Sequence, residues 1–429
     1  MEIRENFREN IDVDACEQHL ADDVSSRNPP PSAVPASTGL IGCIGLFSAF
    51  LIVHLFKINA GLGLPLLLGS AAFPMWLWDF FREKPTRLQT LPEWRFKRNA
   101  EKVASALLIW ISVLGFMHFF AASNIGGFFD LIFEWWWALV ALVICFFLSS
   151  SAGNHLSPEE NIENLYRWLA RKKVKLPWLA IRVQIIKAFF LPMMAHSAYV
   201  WLAQTSAGSF GAVGPLWFAY CFTVLYLIDT IFGVIGYTTT ARNIGAHVRS
   251  TDKTWWGWIS ALSCYAPFST WIASTGLTAY SSSLSWSRWL PADSFLAYLW
   301  GAAIILLSSI YAWATISFGL RFSNLTNRGI ITCGPYRYSK HPAYIAKNLS
   351  WWLISIPFVP SMSVGLSVLH CGSLLLVNAI YFFRAKTEER HLMQDATYRE
   401  YSVWIERNGL WAMMRSLAQR TTFLRRRAY

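Results

Sequence analysis

The sequence predicts an all-α fold: a polytopic transmembrane helix bundle of about ten spans with both termini cytoplasmic. Three observations carry that prediction. Of 429 residues, 54% are hydrophobic and only 14% are charged, whereas soluble domains carry about a quarter charged residues. Apolar stretches of roughly the twenty residues needed to cross a bilayer recur along the chain. Lys and Arg concentrate in alternate loops, the bias that sets membrane orientation.

The spans read as 39–56, 62–81, 103–122, 128–150, 180–204, 212–237, 255–275, 294–319, 342–358 and 362–384. Pro192 and Pro267 fall inside two of them, which membrane bundles tolerate when neighbours satisfy the freed backbone groups. The loop after the second span holds Arg82, Lys84, Arg87, Arg95, Lys97, Arg98 and Lys102; the loop after the fourth holds Arg167, Arg171, Lys172, Lys173, Lys175 and Arg182. Arg242, Arg249 and Lys253, then Arg321, Arg328, Arg337 and Lys340, and finally Arg425, Arg426 and Arg427 fall on the same side. The opposite turns at 123–127, 205–211 and 359–361 contain no basic residue. The net charge of +12 is therefore juxtamembrane and suits anionic lipid headgroups, not nucleic acid.

Residues 1–38 are acidic and Pro-rich, with Asp12, Asp14, Glu17, Asp22 and Asp23 preceding Pro29–Pro31. This composition predicts disorder. No basic segment leads directly into a short apolar core there, so the first span itself is expected to serve as the insertion signal. Cys43, Cys145, Cys221, Cys264 and Cys371 fall within spans without CxxC or Cys/His spacing, which marks them as small buried hydrophobes and indicates no metal site. Asn324 and Asn348 match the glycosylation pattern but lie on the cytoplasmic side or in the membrane. Two deep charges stand out, Lys187 and Asp229. For Asp229 the expected use is a hydrogen bond to a neighbouring helix.

The chemistry is expected in the segment Gly334-Pro335-Tyr336-Arg337-Tyr338-Ser339-Lys340-His341-Pro342-Ala343-Tyr344. Gly334 and Pro335 punctuate the chain, and Pro342 opens a helix. A helix start offers unpaired N–H groups and a positive dipole end to an anion. Tyr336, Tyr338 and Tyr344 offer faces to an adenine ring or a sulfonium, although Tyr also populates the ordinary interfacial belt. His341, beside the helix-starting Pro, is placed to orient a ligand or to cap the backbone.

About forty residues further on, Phe382-Phe383-Arg384 is followed by Glu388 and Glu389. Arg384 and Glu388 stand four apart and share a helix face, the spacing of a simple ion pair. The two carboxylates emerge on the side of the Tyr-rich loop, where they suit ribose hydroxyls or a cation.

These two motifs, GPYRYxKHPxY and then FFRxxxEExxL with Asp395, Tyr398 and Tyr401 behind it, resemble the C-terminal core of the isoprenylcysteine carboxyl methyltransferase family over roughly residues 300–405. Phospholipid methyltransferases and sterol reductases share a similar motif style. The resemblance implies S-adenosylmethionine held at the cytoplasmic face, with Tyr336, His341, Pro342, Tyr344 and Glu388 lining its site. It assigns Arg384 and Glu389 to catalysis, Arg384 as the partner of an acceptor carboxylate. The partner is then a membrane lipid or lipidated substrate, with an isoprenoid or prenylcysteine-type carboxylate favoured, in a bacterial inner membrane or the endoplasmic reticulum. Lys340 stands where the family has Arg, and Ala346 where it often has Gly.

Two other readings share the scaffold. An NADPH-dependent reductase of the sterol type would need room for a second nucleotide half, and the chain has no Gly-rich phosphate loop. A transporter or scaffold would show two related halves with broken helices, and no internal repeat is seen. The chain thus divides into a disordered segment 1–38, a transmembrane region 39–290 of unassigned role, a methyltransferase-like core 291–405 and a basic tail 406–429.

Overall fold

A computed structural model describes residues 28–82, 96–121, 161–207, 214–241, 244–280, 285–360, 363–416 and 419. In chain order the helices are α1 (Ala36–Leu55), α2 (Ala60–Arg82), α3 (Phe96–Ala121), α4 (Glu163–Leu169), α5 (Trp178–Ala207) and α6 (Pro215–Thr238). They continue as α7 (Trp255–Leu262), α8 (Phe268–Ser274), α9 (Trp286–Trp289), α10 (Phe295–Ile316), α11 (Pro342–Ser355), α12 (Val364–Leu392) and α13 (Ala396–Asn408). Two-residue strands β1 (Ser250–Thr251) and β2 (Thr326–Asn327) pair antiparallel, Ser250 opposite Asn327. This patch of sheet is the one departure from an all-helical chain among the described residues.

Seven helices among the described residues are long and apolar enough to span a membrane: α1, α2, α3, α5, α6, α10 and α12. They coincide with seven of the ten expected spans, and the span at 128–150 lies outside the described residues. The other two expectations are corrected. Residues 255–275 form two short helices, α7 and α8, because Pro267 lacks the N–H needed to continue the first. The stretch 342–358 contains only the 14-residue α11. It stops at Ile356, in the left-handed region, just before Pro357, whose ring disfavours a helical conformation in the residue it follows.

The core begins where α1, α2, α5 and α6 meet, around Leu46, Phe50, Leu67, Met75, Leu202 and Phe232. Helices α1 and α2 approach closely: a side chain at Gly45 would collide with the Ser70 carbonyl. Ile186, Phe190, Met194 and Tyr237 extend the core, with the Phe190 and Tyr237 rings parallel at 5.6 Å. Lys187 reaches the Thr240 hydroxyl at 2.9 Å.

Residues 28–38 correct part of the expected disorder. Thr332 donates to the Pro30 carbonyl at 2.7 Å, Ala33 N–H donates to Ile330 O at 2.8 Å, and Thr38 donates to the buried Asp79 carboxylate at 2.8 Å. A few apolar side chains suffice to seat this strap; Val34 is fully buried. The acidic residues from Asp12 to Asp23 and the basic triplet 425–427 lie outside the described residues.

The loop between α10 and α11 is fixed by Arg328, which is 3% exposed. Its guanidinium donates to the carbonyls of Gly236, Thr239, Ala246, Leu320 and Phe322, with Nε to Ala246 O at 3.0 Å and Nη1 to Gly236 O at 2.5 Å. Gly236 and Thr239 lie at the C-terminal end of α6, where carbonyls lack helical partners and the dipole favours a cation. Burial, then the neighbouring Arg321, push the Arg328 pKa down to about 9, which leaves it charged at neutral pH. Arg328→Leu is expected to orphan these carbonyls and lower stability by about 3 kcal/mol or more. Arg328→Lys should recover only part of that, since a point ammonium cannot replace a planar fork. Thermal unfolding in detergent tests this; melting of both variants with the wild type would remove the clamp from the account of stability.

Candidate active site

Helices α11 and α12 form the expected hairpin, and side-chain amides zip it. Trp352 Nε1 donates to Asn378 Oδ1 at 2.9 Å, Asn378 Nδ2 to Asn348 Oδ1 at 2.8 Å, and Asn348 Nδ2 to Tyr344 O at 2.8 Å. Such interhelical bonds are a usual means of fixing helix register in lipid. The register brings the two sequence motifs together. Tyr344 donates its phenol proton to Glu388 Oε2 at 2.7 Å, and His341 Nε2 lies 3.0 Å from Glu389 Oε1. The His341 and Tyr344 rings are parallel, 5.4 Å apart.

The loop 334–341 is held from below by α13. Tyr401 donates to Tyr336 O at 2.6 Å, and Lys340 Nζ reaches both Ser402 Oγ and Glu406 Oε1 at 2.7 Å. Lys340 is thereby tied to α13 by hydrogen bonds that a single ammonium suffices to make. Asp395 caps α13 through Thr397 N–H and accepts from Asn327 Nδ2 at 2.8 Å, joining that helix to β2.

Two cavities share one wall. The larger, of about 620 Å³, is bounded by Tyr265, Tyr311, Tyr336, His341, Tyr344, Lys347 and Tyr381, among others. The smaller, of about 380 Å³, is bounded by Asp252, Gly257, Thr326, Thr387, His391 and neighbours. Ser323, Asn324, Tyr344, Arg384 and Glu388 line both.

Arg384 is the central group of this wall. It is 5% exposed, and Nη2 donates to Asn324 Oδ1 at 2.6 Å. Its guanidinium carbon lies 5.1 Å from the Tyr344 ring centre, 5.2 Å from Tyr265 and 5.8 Å from Tyr381. Among the described residues no carboxylate pairs with it. The Arg384–Glu388 pair that the four-residue spacing allows is not formed, because Glu388 is turned to Tyr344. Oε1 of Glu388 accepts no hydrogen bond from the described residues, so one carboxylate oxygen remains for a ligand.

Other expected residues take different places. Tyr336 lines the larger cavity; burial, then the Glu388 charge, push its phenol well above the usual range and keep it neutral. Pro342 is the buried first residue of α11. His341 does not cap α11 with its side chain, because Glu389 holds the ring. Glu389 lies behind His341, also bonded to Lys386 at 3.2 Å, and lines neither cavity. Tyr338 is half exposed and lines neither.

Sequence reasoning missed Tyr265, Asn324, Tyr311, Lys347 and Tyr381 as wall residues. Lys347 carried a usable signal, a cation six residues into an apolar helix. Tyr265 and Asp252 belong to the upstream region: Asp252 follows β1 and its N–H donates to Leu325 O at 2.9 Å beside the β1–β2 pair, and Tyr265 follows α7, which packs on α12. Ser260 with Thr387 at 3.0 Å ties α7 to α12, and Ser250 with His391 at 2.9 Å ties β1 to the same helix. Asp229 meets its expectation, accepting from Tyr311 at 2.6 Å and Thr315 at 2.5 Å on α10.

Helices long and apolar enough to span a membrane, together with a polar, aromatic-walled cavity that has a buried cation in its wall, define a multi-pass membrane protein with a candidate ligand site. The segment that forms most of this wall, residues 296–394, matches the model of the isoprenylcysteine carboxyl methyltransferase family. The family is one of membrane methyltransferases, and the matched region contains both motifs. No curated protein and no solved structure matches the chain.

Asn324→Ala is expected to leave the buried guanidinium short of its one close neutral acceptor and to cost about 1–3 kcal/mol. Asn324→Asp, which supplies a carboxylate, should retain stability. Melting temperatures of the two variants test whether Arg384 depends on this contact; equal losses would show that it does not.

Proposed function

We propose that this chain transfers a methyl group from S-adenosylmethionine to the carboxylate of a lipid-like acceptor. The observation that carries the proposal is Arg384: a buried cation in the wall shared by two cavities, with neutral hydrogen-bonding partners. A desolvated charge of this kind is costly unless a ligand anion completes it, and charge-assisted guanidinium–carboxylate bonds are among the stronger ones.

The wall also suits the methyl donor. Glu388 keeps one oxygen for ribose hydroxyls, and Tyr336 and Tyr344 present aromatic faces for adenine or for a sulfonium cation. When bound, S-adenosylmethionine supplies a methyl carbon activated by its sulfonium. Glu389 acts through His341, holding the ring that stacks beside Tyr344. Pro342 fixes the start of the helix that carries them.

In this reading the protein's contribution is alignment. The acceptor oxygen forms a bond to the methyl carbon as the carbon–sulfur bond breaks, giving a methyl ester and a thioether. Correct positioning for an in-line displacement can be worth on the order of 7–11 kcal/mol. An anionic acceptor and a cationic donor neutralise each other toward the transition state, so a site shielded from water favours the reaction. A carboxylate acceptor needs no general base. Arg384 holds and orients it.

The bundle's apolar surface suits an acceptor that enters from the bilayer, with the motif loop on the cytoplasmic side. Calorimetric titration of detergent-purified protein should show binding of S-adenosylmethionine but not NADPH, weakened by His341→Ala and Glu389→Ala. Arg384→Gln is expected to retain that binding and to lower acceptor kcat/KM by about 100-fold. Binding of NADPH in place of S-adenosylmethionine would overturn the assignment in favour of a reductase.

A further inference from the structure

Lys347 lines the larger cavity together with Arg384 and with Lys340, which is paired with Glu406. The Lys347 ammonium lies 5.0 Å from the centre of the Tyr311 ring, 5.3 Å from Trp351 and 5.9 Å from Tyr381. Among the described residues no hydrogen bond or ion pair occupies its three N–H groups.

Aromatic faces stabilise such a charge without using its donors. Asp229 adds to this from behind: its carboxylate accepts the Tyr311 phenol proton at 2.6 Å and does not line the cavity. The Tyr311 ring is thereby held in place beneath the ammonium, while the N–H groups of Lys347 remain available to a ligand. Arg384 shares the Tyr381 ring, at 5.8 Å. The cavity thus presents two cations seated on aromatic rings, while the nearby acids have donors of their own: Glu388 has Tyr344, and Glu389 has His341 and Lys386.

A purely hydrocarbon chain lying against Lys347 would leave a desolvated ammonium without acceptors, which is costly. We propose that Lys347 is a specificity residue that binds a second carboxylate on the acceptor, so that the preferred substrate is an amphiphile with a dicarboxylic headgroup. Arg384 holds the carboxylate to be methylated, and Lys347 holds the other. The inference rests on the acceptor role given above to Arg384.

The test compares equilibrium binding of radiolabelled N-palmitoyl-glycine and N-palmitoyl-glutamate to the full chain in detergent, alongside Lys347→Met and Lys347→Arg. Wild type is expected to bind the two-carboxylate probe about tenfold more tightly, as a charge-assisted contact allows. Lys347→Met should bring that probe down to the affinity of the other, and Lys347→Arg should restore the gap. Equal affinities in wild type, or equal losses of both probes in Lys347→Met, overturn the proposal. If Lys347→Met does not fold, the wild-type comparison and Lys347→Arg decide it. S-adenosylmethionine binding and methyl transfer, read on the same samples, report separately on the methyltransferase reading: their absence beside an intact Lys347-dependent preference would overturn that reading alone.

Discussion

The site depends on a buried guanidinium that touches no ligand. Arg328 gathers carbonyls from the end of α6 and the turn after it at Ala246, and from the turn at 320–322, two stretches of chain whose residues Thr239 and Leu320 are 81 positions apart. Once these are joined, the residues that follow have little freedom. Asn327 pairs with Asp395, and its Oδ1 accepts from Gly329 N–H; Gly329 needs its positive φ there, and a side chain on it would strike Ala33. Four residues before Arg328, Asn324 meets Arg384. A cation in the loop thus sets the acceptor for a cation in the wall.

Much of this arrangement was legible in the sequence. Apolar runs of sufficient length predict the seven long helices, because burial in lipid is a requirement on length and composition. The motif residues His341, Tyr344, Glu388 and Glu389 meet as expected, since the hairpin between them is short and its register is set by local amides. Interactions at long sequence separation were not legible. Asn324 matches a glycosylation pattern, and nothing local reveals that its amide serves Arg384. Tyr265 reaches the cavities because α7 stops before Pro267 and lies on α12, and Asp252 because β1 pairs with β2. A break read as a tolerated kink proves to be the means by which upstream residues reach the wall.

The charges of the wall follow a consistent pattern. The acids Glu388 and Glu389 each engage a group of the protein, a phenol and an imidazole, while Arg384 and Lys347 lean on ring faces that stabilise charge and offer no anion. Aromatic seats hold a cation in place at little cost to its hydrogen-bonding capacity. On the proposed reading, ligand anions complete these cations, and the cavity discriminates by charge count. Asp229 fits the same pattern from outside the wall, supporting Tyr311 from behind.

The strap formed by residues 28–38 has a consequence for how the molecule is made. Pro30 and Thr332, or Val34 and Cys333, are about three hundred positions apart, yet they are in direct contact. During synthesis the strap exists long before its partner, and every helix from α1 to α10 is produced in the interval. Loop closure over such a distance is slow to nucleate. The strap therefore waits for its partner until helices α1 to α10 have been made, and the motif loop waits in turn for α13. Seating of the strap and assembly of the site thus belong to one late stage of synthesis.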